Sequence, residues 1–285
     1  MGSSTVTQRY RELVASKARR AALEAHRKVL DGVIDLLDSA RVRAPASRWQ
    51  HAILSLAARE VQLQRTIHDA ACLGYADDEL TPIARAMLST LVTLAYIGRG
   101  RSGRERDARA LAWAIQQRRS QDLLYEYLWR ARRVSKKEAD ALTRDSSASY
   151  DAMLAEAAER RIVPAPKVGK RRDTWTGLPE KEFFRRAGYF SFYKDYYALW
   201  SNESHSGPTT LNAHLDQGRA GLFEIGPHER DLGFLLFATA RFSILTTGHL
   251  NSIYRLRKST AIRALFDAMQ KDFSDVFALE RTEGT

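Results

Sequence analysis

Hydrophobic side chains recur along most of the chain three to four residues apart, with polar residues between them. In the first long segment, about residues 5–40, Val29, Val33 and Leu37 follow this spacing and would share one helical face. Strand-like alternation of apolar and polar residues is absent, as is the Asn-Gly turn typical of hairpins. The pattern predicts an all-α protein, a bundle of about seven or eight helices.

Residues that start or end helices divide this pattern into elements. We predict helices over about residues 5–40 and 47–73, from a first turn near Pro82 to the glycines of IGRGRSG, and over about 104–132, 135–161, 179–207, 229–257 and 260–280. Ser135 and Glu138 have the spacing of a capping box, in which each side chain binds a free backbone N–H at a helix start. Pro179 is expected to open the helix near 179–207.

Segments rich in glycine and proline separate the helices into three regions. Residues 1–44 form an N-terminal helix in this interpretation, residues 45–258 a helical core, and residues 259–285 a C-terminal helix and tail. A basic loop is expected within the core near 163–178, because the segment IVPAPKVGKRRDTWTGLP at 162–179 has three prolines and a run of charges.

The first residues and the apolar runs bear on where the protein acts. The N-terminus has no apolar stretch of the kind that a secretory signal needs, so we expect no export and a cytoplasmic protein. The longest uncharged apolar run, residues 86–98, is shorter than the roughly 20 residues that cross a bilayer, and it predicts a core helix and no membrane partner. The single cysteine, Cys72, excludes an internal disulfide and a cysteine-based zinc cluster, and we expect it to be buried.

Positive charge is concentrated in two places. The net charge is +11, and between Arg99 and Lys137 there are twelve basic residues and four acidic ones. A second cluster, KVGKRR, lies at 167–172. Such clusters favour a nucleic acid, because a polyanion that they neutralise releases its counterions, although a solvated helical face would have the same composition. The candidate nucleic-acid-binding residues are Arg104, Arg109, Arg118, Arg119, Lys170, Arg171 and Arg172.

The stretch YYALWSNESHSG, residues 196–207, contains the strongest candidate for chemistry. In a helix, Tyr197, Ser201 and His205 would lie on one face, with Asn202 beside them. Histidine titrates near neutral pH and can transfer protons, so these four residues are the candidate catalytic site. The alternative is a buried polar knot in which Tyr197 and His205 join neighbouring helices by hydrogen bonds.

Two other kinds of site fit the same stretch less well. A serine hydrolase would need an acid that orients His205 and a strained turn around Ser201, and the sequence identifies neither. A metal site would draw on Glu203, His205 and His214, whose spacing matches no compact metal motif. We therefore expect no metal and no cofactor.

Two further segments are better explained by packing. The polar residues of AAREVQLQRTIHDAA, among them Glu60, Arg65 and His68, interrupt an apolar helix, and interhelical salt bridges are their favoured role. The aromatic residues of FFRRAGYFSFYKDYYALW recur at helical spacing, which is more typical of a core than of a platform on which bases stack.

Three segments in this order resemble one family. They are IARAMLSTLVTLAYI, the charged helix RDARALAWAIQQRR, and the pattern W-x-G-x-P-x-K-E-F followed by Y-x-x-Y-Y-x-x-x-S-x-x-x-H-S-G. Over roughly residues 45–250 the chain is similar to an uncharacterised bacterial helical family, domain of unknown function 5677. That family is in turn similar to HEPN domains, many of which are dimeric ribonucleases of toxin and antiphage systems.

The resemblance implies a HEPN-like core and a set of roles. His205 matches the HEPN histidine, and Ser201 or Asn202 matches the polar position. Leu199 and Trp200 stand where the HEPN arginine belongs. Thr90 and Leu91 stand near the place of a glutamate that often follows the arginine of the earlier helix, here Arg85. A cation that stabilises the charge on phosphate would then come from elsewhere, with Arg65, Arg85 or Arg109 as candidates.

The function that follows is an RNA- or nucleotide-directed protein of a bacterial defence or toxin system, acting as a metal-independent endoribonuclease and as a homodimer. A partner protein from the same defence system would also fit. The alternative is a non-catalytic helical module that binds nucleic acid or a protein through its basic face.

Overall fold

The protein is all-α. A computed structural model describes residues 16–40, 44–75, 77–160, 175–197, 200 and 232–283, without the side chains of residues 77, 78, 119–124, 142–149 and 283. Its helices are α1 (Lys17–Asp38), α2 (Arg48–Cys72), α3 (Asp77–Gly98), α4 (Gly103–Arg130), α5 (Lys136–Glu159), α6 (Glu180–Ala187), α7 (Phe190–Phe192), α8 (Leu232–Tyr254) and α9 (Ser259–Glu283). A π-helical turn, Tyr193–Tyr197, follows α7 directly. The described residues include no strand, so the predicted fold class is confirmed.

Serine side chains begin three of these helices. The Oγ of Ser16 accepts a hydrogen bond from the N–H of Arg19 at 3.0 Å, and the Oγ of Ser102 accepts one from the N–H of Glu105 at 3.2 Å. At the start of α5 the Ser135 Oγ accepts from the N–H of Glu138, and the Glu138 carboxylate accepts from the N–H of Ser135 at 2.8 Å. The predicted capping box is confirmed.

The chain divides into two compact units, which we describe separately. The first contains Met1–Arg43, Ser55–Leu94 and Ser191–Thr285, and the second contains Ala44–Leu54 and Ala95–Phe190. In the first unit α1 packs against α8 and α9, and α8 packs against α9. Fully buried side chains from these helices and from α3 fill its core: Val33, Met87, Leu88, Phe242 and Phe273.

In the second unit α4 packs against α5. Leu111 and Ile115 of α4 and Ala157 of α5 form a buried cluster, and Tyr150, Met153 and Leu154 pack around it. A separate aromatic cluster joins Tyr96, Trp175 and Phe183, whose ring centroids are 5.2–5.6 Å apart in edge-to-face contacts. Such contacts hold each ring in one orientation.

The helix predicted over residues 179–207 is interrupted, so that prediction is wrong. Helix α6 ends at Ala187 because Gly188 adopts a left-handed conformation, with φ of 83°. The N–H of Tyr189 donates to the carbonyl of Phe184, and that of Gly188 to the carbonyl of Arg185, which is the Schellman arrangement. The motif segment therefore begins in a new helix at Phe190 and passes into the π-helical turn.

Helix α3 contains a long apolar stretch that is largely buried. Its residues 79–98 are long and apolar enough to cross a membrane, but 72% of the most apolar 18-residue window is buried inside the protein. Burial of this kind is what a core helix of a soluble protein has, and it agrees with the core helix predicted here.

The C-terminal end of α2 includes Cys72 and is contacted by a buried arginine of α1. Cys72 is exposed, so its predicted burial is wrong: it is the last residue of the helix and faces outward. Arg19 of α1 is buried, and its guanidinium donates to the carbonyl oxygens of Ala71 at 2.5 Å and Tyr75 at 3.2 Å. The bond to Ala71 satisfies a carbonyl in the last turn of α2, and the bond to Tyr75 holds the chain just after the helix.

Candidate functional site

The segment with the candidate catalytic residues enters the first unit through the π-helical turn, at whose end Tyr197 is buried. Ser201, Asn202 and His205 lie outside the described residues, so only Tyr197 of the four is placed by the structure. The neighbouring ring of Tyr193 stacks on that of Tyr197, with centroids 5.6 Å apart and an interplanar angle of 17°. Tyr193, which belongs to the same π-helical turn, thus helps to fix the orientation of the Tyr197 ring.

Arg85 of α3 approaches Tyr197 from a distant part of the sequence. One of its terminal guanidinium nitrogens donates a hydrogen bond to the Tyr197 hydroxyl at 2.9 Å. The guanidinium carbon lies 4.8 Å from the centroid of the tyrosine ring. Arg85 is half-buried, and a cation held by both a hydroxyl and an aromatic ring keeps its position better than one on a free side chain. Of the three cations considered for phosphate, Arg85 is therefore the one that contacts Tyr197, the motif residue that the structure describes.

Three of the four positions that lack HEPN-type charges are packing positions. Trp200 is buried, and its ring lies 5.4 Å from that of Tyr196 and 6.0 Å from that of Phe242. Thr90 is buried and donates a hydrogen bond to the carbonyl of Ala86, and Leu91 is fully buried. Leu199 lies outside the described residues. The burial of Phe183, Phe184, Phe192 and Tyr196 confirms that the aromatic residues before this segment form core.

The second unit contains a cavity of about 440 Å³ with an arginine-rich wall. Its basic lining residues come from α4, from the end of α5 and from α6: Arg104, Arg109, Arg160 and Arg186. Glu105 is the acidic residue of the lining, and Tyr96 and Trp175 contribute aromatic rings. A concave surface with convergent polar groups and aromatic walls is the usual form of a small-ligand site.

Arg109 is fixed within this wall. Its guanidinium donates to the Glu105 carboxylate at 2.5 Å and to the carbonyl oxygen of Tyr96, and it covers the Tyr96 ring at 4.2 Å. The backbone N–H of Arg101 donates to Glu105 at 2.8 Å, and this bond, followed by the charge of Arg109, lowers the pKa of the Glu105 carboxyl. Glu105 is therefore ionised at neutral pH, and the arginine excess in the lining is three positive charges.

The other predicted basic residues are distributed differently. Arg118 is half-buried further along α4, while the Arg119 side chain and Lys170, Arg171 and Arg172 lie outside the described residues. Arg65 is exposed on α2 and lines a separate cavity of about 390 Å³ with His68 and Cys72.

Arg160 and Arg186 are lining residues that were not predicted from the sequence, and Trp175 was noted there only as part of a pattern. Arg160 is the C-cap of α5 and Arg186 lies in the last turn of α6, where basic residues commonly occur because they favour the helix dipole. Trp175 is the first residue of the pattern W-x-G-x-P-x-K-E-F and lies near the basic cluster at 167–172, but neither feature indicates that it lines a cavity.

Among the described residues, Glu60, Arg65 and His68 of α2 do not form the interhelical salt bridges expected for them. Glu60 and Gln64 are fully buried, and neither side chain has a hydrogen-bond partner among the described residues. Burial raises the pKa of the Glu60 carboxyl well above its usual value. The expectation failed because Glu60 faces the interior of the first unit, where the described residues offer it no cation.

Two histidines of the first unit stack on one another. The rings of His26 and His68 are 5.6 Å apart and nearly parallel, with an interplanar angle of 8°. His26 is fully buried, and its Nε2 lies 3.2 Å from the Thr239 hydroxyl. Burial, and secondarily the neighbouring His68, lowers the pKa of His26 to about 3. The metal site considered from the sequence would use Glu203, His205 and His214, which lie outside the described residues. The described part of the chain has no cluster of three metal-ligating side chains.

Comparison with known proteins identifies the family. No curated protein and no solved structure matches the chain. A family model matches residues 50–222, which is more than half of the sequence and includes α2 to the π-helical turn. The chain belongs to DUF5677, a family of unknown function.

Proposed function

We propose that this protein acts on RNA as a metal-independent endoribonuclease of a bacterial defence or toxin system, with a HEPN-like core and as a cytoplasmic homodimer. The observation that carries the proposal is the contact of Arg85 with Tyr197, because it supplies a cation at the segment that contains Ser201, Asn202 and His205. The lack of an arginine at Leu199 and Trp200 then does not leave the site without positive charge.

The proposed roles follow from the chemistry of RNA cleavage. Attack by the 2′-oxygen on the neighbouring phosphorus forms a 2′,3′-cyclic phosphate and breaks the bond to the 5′-oxygen of the next nucleotide. The 2′-hydroxyl loses a proton and the departing 5′-oxygen gains one, and His205 exchanges protons in this step. The phosphate gains negative charge as the new bond forms, and the Arg85 guanidinium stabilises it. Tyr197 holds Arg85 through its hydroxyl. Ser201 or Asn202 binds the phosphate or the ribose.

Cleavage of labelled single-stranded and structured RNA by the purified full-length protein tests the proposal. Wild type is compared with His205→Ala, Arg85→Ala and Tyr197→Phe, each with and without chelator. We expect cleavage that resists chelator, falls about 10²- to 10³-fold in Arg85→Ala and is abolished in His205→Ala.

Arg263→Ala is the matched control, because Arg263 is an exposed arginine on α9. It is expected to cleave as wild type does. The proposal is wrong if the wild type cuts no RNA, if chelator removes the activity, or if Arg85→Ala and His205→Ala cleave at the wild-type rate while remaining folded.

A second candidate function is binding of nucleic acid without cleavage. The observation that favours it is the convergence of Arg104, Arg109, Arg160 and Arg186 on one cavity. Under this function RNA affinity falls steeply with salt, and charge reversal at Arg118 and Arg119 weakens binding, while no variant changes an RNA product. Tyr197 would then serve to pack α3 against the π-helical turn.

A further inference from the structure

The cavity of the second unit has the charge of an anion site. Arg104, Arg109, Arg160 and Arg186 face it, opposed by the single carboxylate of Glu105. It lies beside the first turns of α4 and the C-terminal ends of α5 and α6, whose dipoles oppose one another there, so its positive charge comes from the arginines. Its volume of about 440 Å³ is within the range of roughly 300–1,000 Å³ that small-ligand pockets have.

The four arginines are not equally available. Arg109 is held by Glu105 and by Tyr96, so it shapes the wall. Arg104 is exposed and has no ion pair or hydrogen bond among the described residues. Arg160 pairs with Glu156 at 2.9 Å and Arg186 with Glu182 at 3.1 Å, and both are about half-exposed. Exposed ion pairs of this kind are weak, so both guanidinium groups can turn to a stronger anion.

Aromatic rings on the same wall restrict the kind of anion. The Tyr96 ring is covered by the Arg109 guanidinium, whereas Trp175 is half-buried and lines the cavity. Its ring is held edge-to-face against Tyr96 and Phe183, so its orientation is set before a ligand binds. A planar base stacks well on such a ring, and stacking does not require a particular base.

We propose that this cavity binds one 5′-phosphorylated nucleotide, with Arg104 as the first phosphate contact, Arg160 and Arg186 as further contacts, and the base against Trp175. The proposal rests on the RNA- or nucleotide-directed function proposed above, but on other residues than the cleavage site. The nucleotide can be a free nucleoside monophosphate or the 5′ end of an RNA strand, since both present the same phosphate and base.

Calorimetric titration of the full-length His205→Ala protein, which prevents turnover of an oligonucleotide, tests this assignment. The ligands are uridine 5′-monophosphate, a tetranucleotide with a 5′-phosphate, the same tetranucleotide with a 5′-hydroxyl, and inorganic phosphate. Arg104→Glu and Trp175→Leu are added in this background, with Arg263→Glu as the control for a reversed exposed charge.

We expect the monophosphate, the 5′-phosphorylated tetranucleotide, or both to bind more tightly than inorganic phosphate and the 5′-hydroxyl strand. Binding of the monophosphate alone identifies the free nucleotide as the source, and binding of the strand alone identifies the RNA end. Arg104→Glu and Trp175→Leu are each expected to raise Kd about tenfold or more, and Arg263→Glu to leave it within about twofold.

Other results overturn the assignment. Absence of binding by both nucleotide ligands excludes it, as does an unchanged Kd in Arg104→Glu, a variant at an exposed position that is expected to fold. Equal affinity for inorganic phosphate and no effect of Trp175→Leu would mean an anion site without a base. Nucleotide binding by a protein that cuts no RNA would overturn only the endoribonuclease, and cleavage without nucleotide binding would overturn only the cavity.

Discussion

Glu60 and Gln64 lie one turn apart on α2, and both side chains are fully buried without a hydrogen-bond partner among the residues that the structure describes. A carboxylate in such surroundings loses its hydration and gains nothing in return. Burial therefore raises the pKa of Glu60, against a smaller opposite effect of the neighbouring Arg59. In the folded state the carboxyl keeps its proton at a pH at which the unfolded chain has lost it.

Replacement of Glu60 by glutamine is expected to stabilise the protein at alkaline pH. Below about pH 4.5 the carboxyl is protonated in both states, and Glu60→Gln and wild type should have similar stability. Above it only the unfolded state releases the proton, so wild-type stability falls by about 1.4 kcal/mol for each pH unit up to the folded pKa. Urea unfolding of both proteins at pH 5 and pH 8 measures this difference.

Glu159→Gln is the control, because it removes one carboxyl from an exposed position on α5. Its stability relative to wild type should be the same at both pH values. An unchanged difference between Glu60→Gln and wild type at pH 5 and pH 8 would show that Glu60 titrates alike in the folded and unfolded states.

At the scale of the element, Gly188 decides where α6 ends. The residue needs a left-handed backbone, which disfavours any residue with a Cβ atom. A Cβ there would also meet the guanidinium of Arg99, which is the end of a flexible side chain and can move aside. The conformation of Gly188 separates α6 from the helical turn that contains Tyr197.

Gly188→Ala is expected to lower the free energy of unfolding by at least about 1–2 kcal/mol, which is the cost of the left-handed conformation alone. Gly248→Ala is the matched control, since Gly248 lies inside α8 and a Cβ there meets nothing within 4 Å. That change should be neutral or stabilise by up to about 1 kcal/mol, because alanine favours a helix. Thermal or urea unfolding of both variants gives the comparison, and equal effects would contradict the role of Gly188.

Features that depend on neighbouring residues could be predicted from the sequence. The capping box at Ser135 and Glu138 and the helix start after Pro179 are contacts within a few residues, and the structure confirms both. The break at Gly188 was missed because apolar spacing continues across it, and one glycine is tolerated within a helical pattern. Gly188 also lies close to the side chain of Arg99, which is distant in sequence and cannot be placed by a local pattern.

The candidate site was predictable only in part for the same reason. Tyr197 was identified by its spacing, and Arg85 was one of three candidate cations, but no local pattern indicates that they form a hydrogen bond. The cavity combines α4 with residues from the end of α5 and from α6, and such convergence follows from packing. Glu60 was expected to pair because buried charges usually do.

At the scale of the whole molecule, two buried groups have opposite effects on the pH dependence of unfolding. His26 has its pKa lowered to about 3, so stability that is present above pH 6.5 is lost as the pH falls toward 3, when the unfolded state takes up the proton. Because the pKa of Glu60 is raised in the folded state, its contribution to the free energy of unfolding falls as the pH rises above 4.5. Their combined contribution is therefore greatest between about pH 4.5 and 6.5.

The double variant His26→Gln/Glu60→Gln isolates this contribution. The free energy of unfolding of wild type minus that of the double variant should rise with pH below about 4.5, stay level to about 6.5, and then fall, with slopes of about 1.4 kcal/mol per pH unit. Taking the difference cancels the effect of all other titrating groups. A difference that is constant between pH 3.5 and 8.5 would contradict both assignments.

The stacked pair of His26 and His68 also allows the opening of the first unit to be followed by chemical footprinting. Acylating reagents such as diethyl pyrocarbonate attack neutral imidazoles that they can reach. His26 is neutral at all but very acid pH, yet it is enclosed by α1, α2 and α8, so it can react only when these helices part. His68 is half-buried and open to reagent in the closed state. One labelling experiment thus measures two quantities. The labelling rate of His68 gives the reactivity of a histidine that the reagent can reach, and that of His26 gives the rate at which the helices separate.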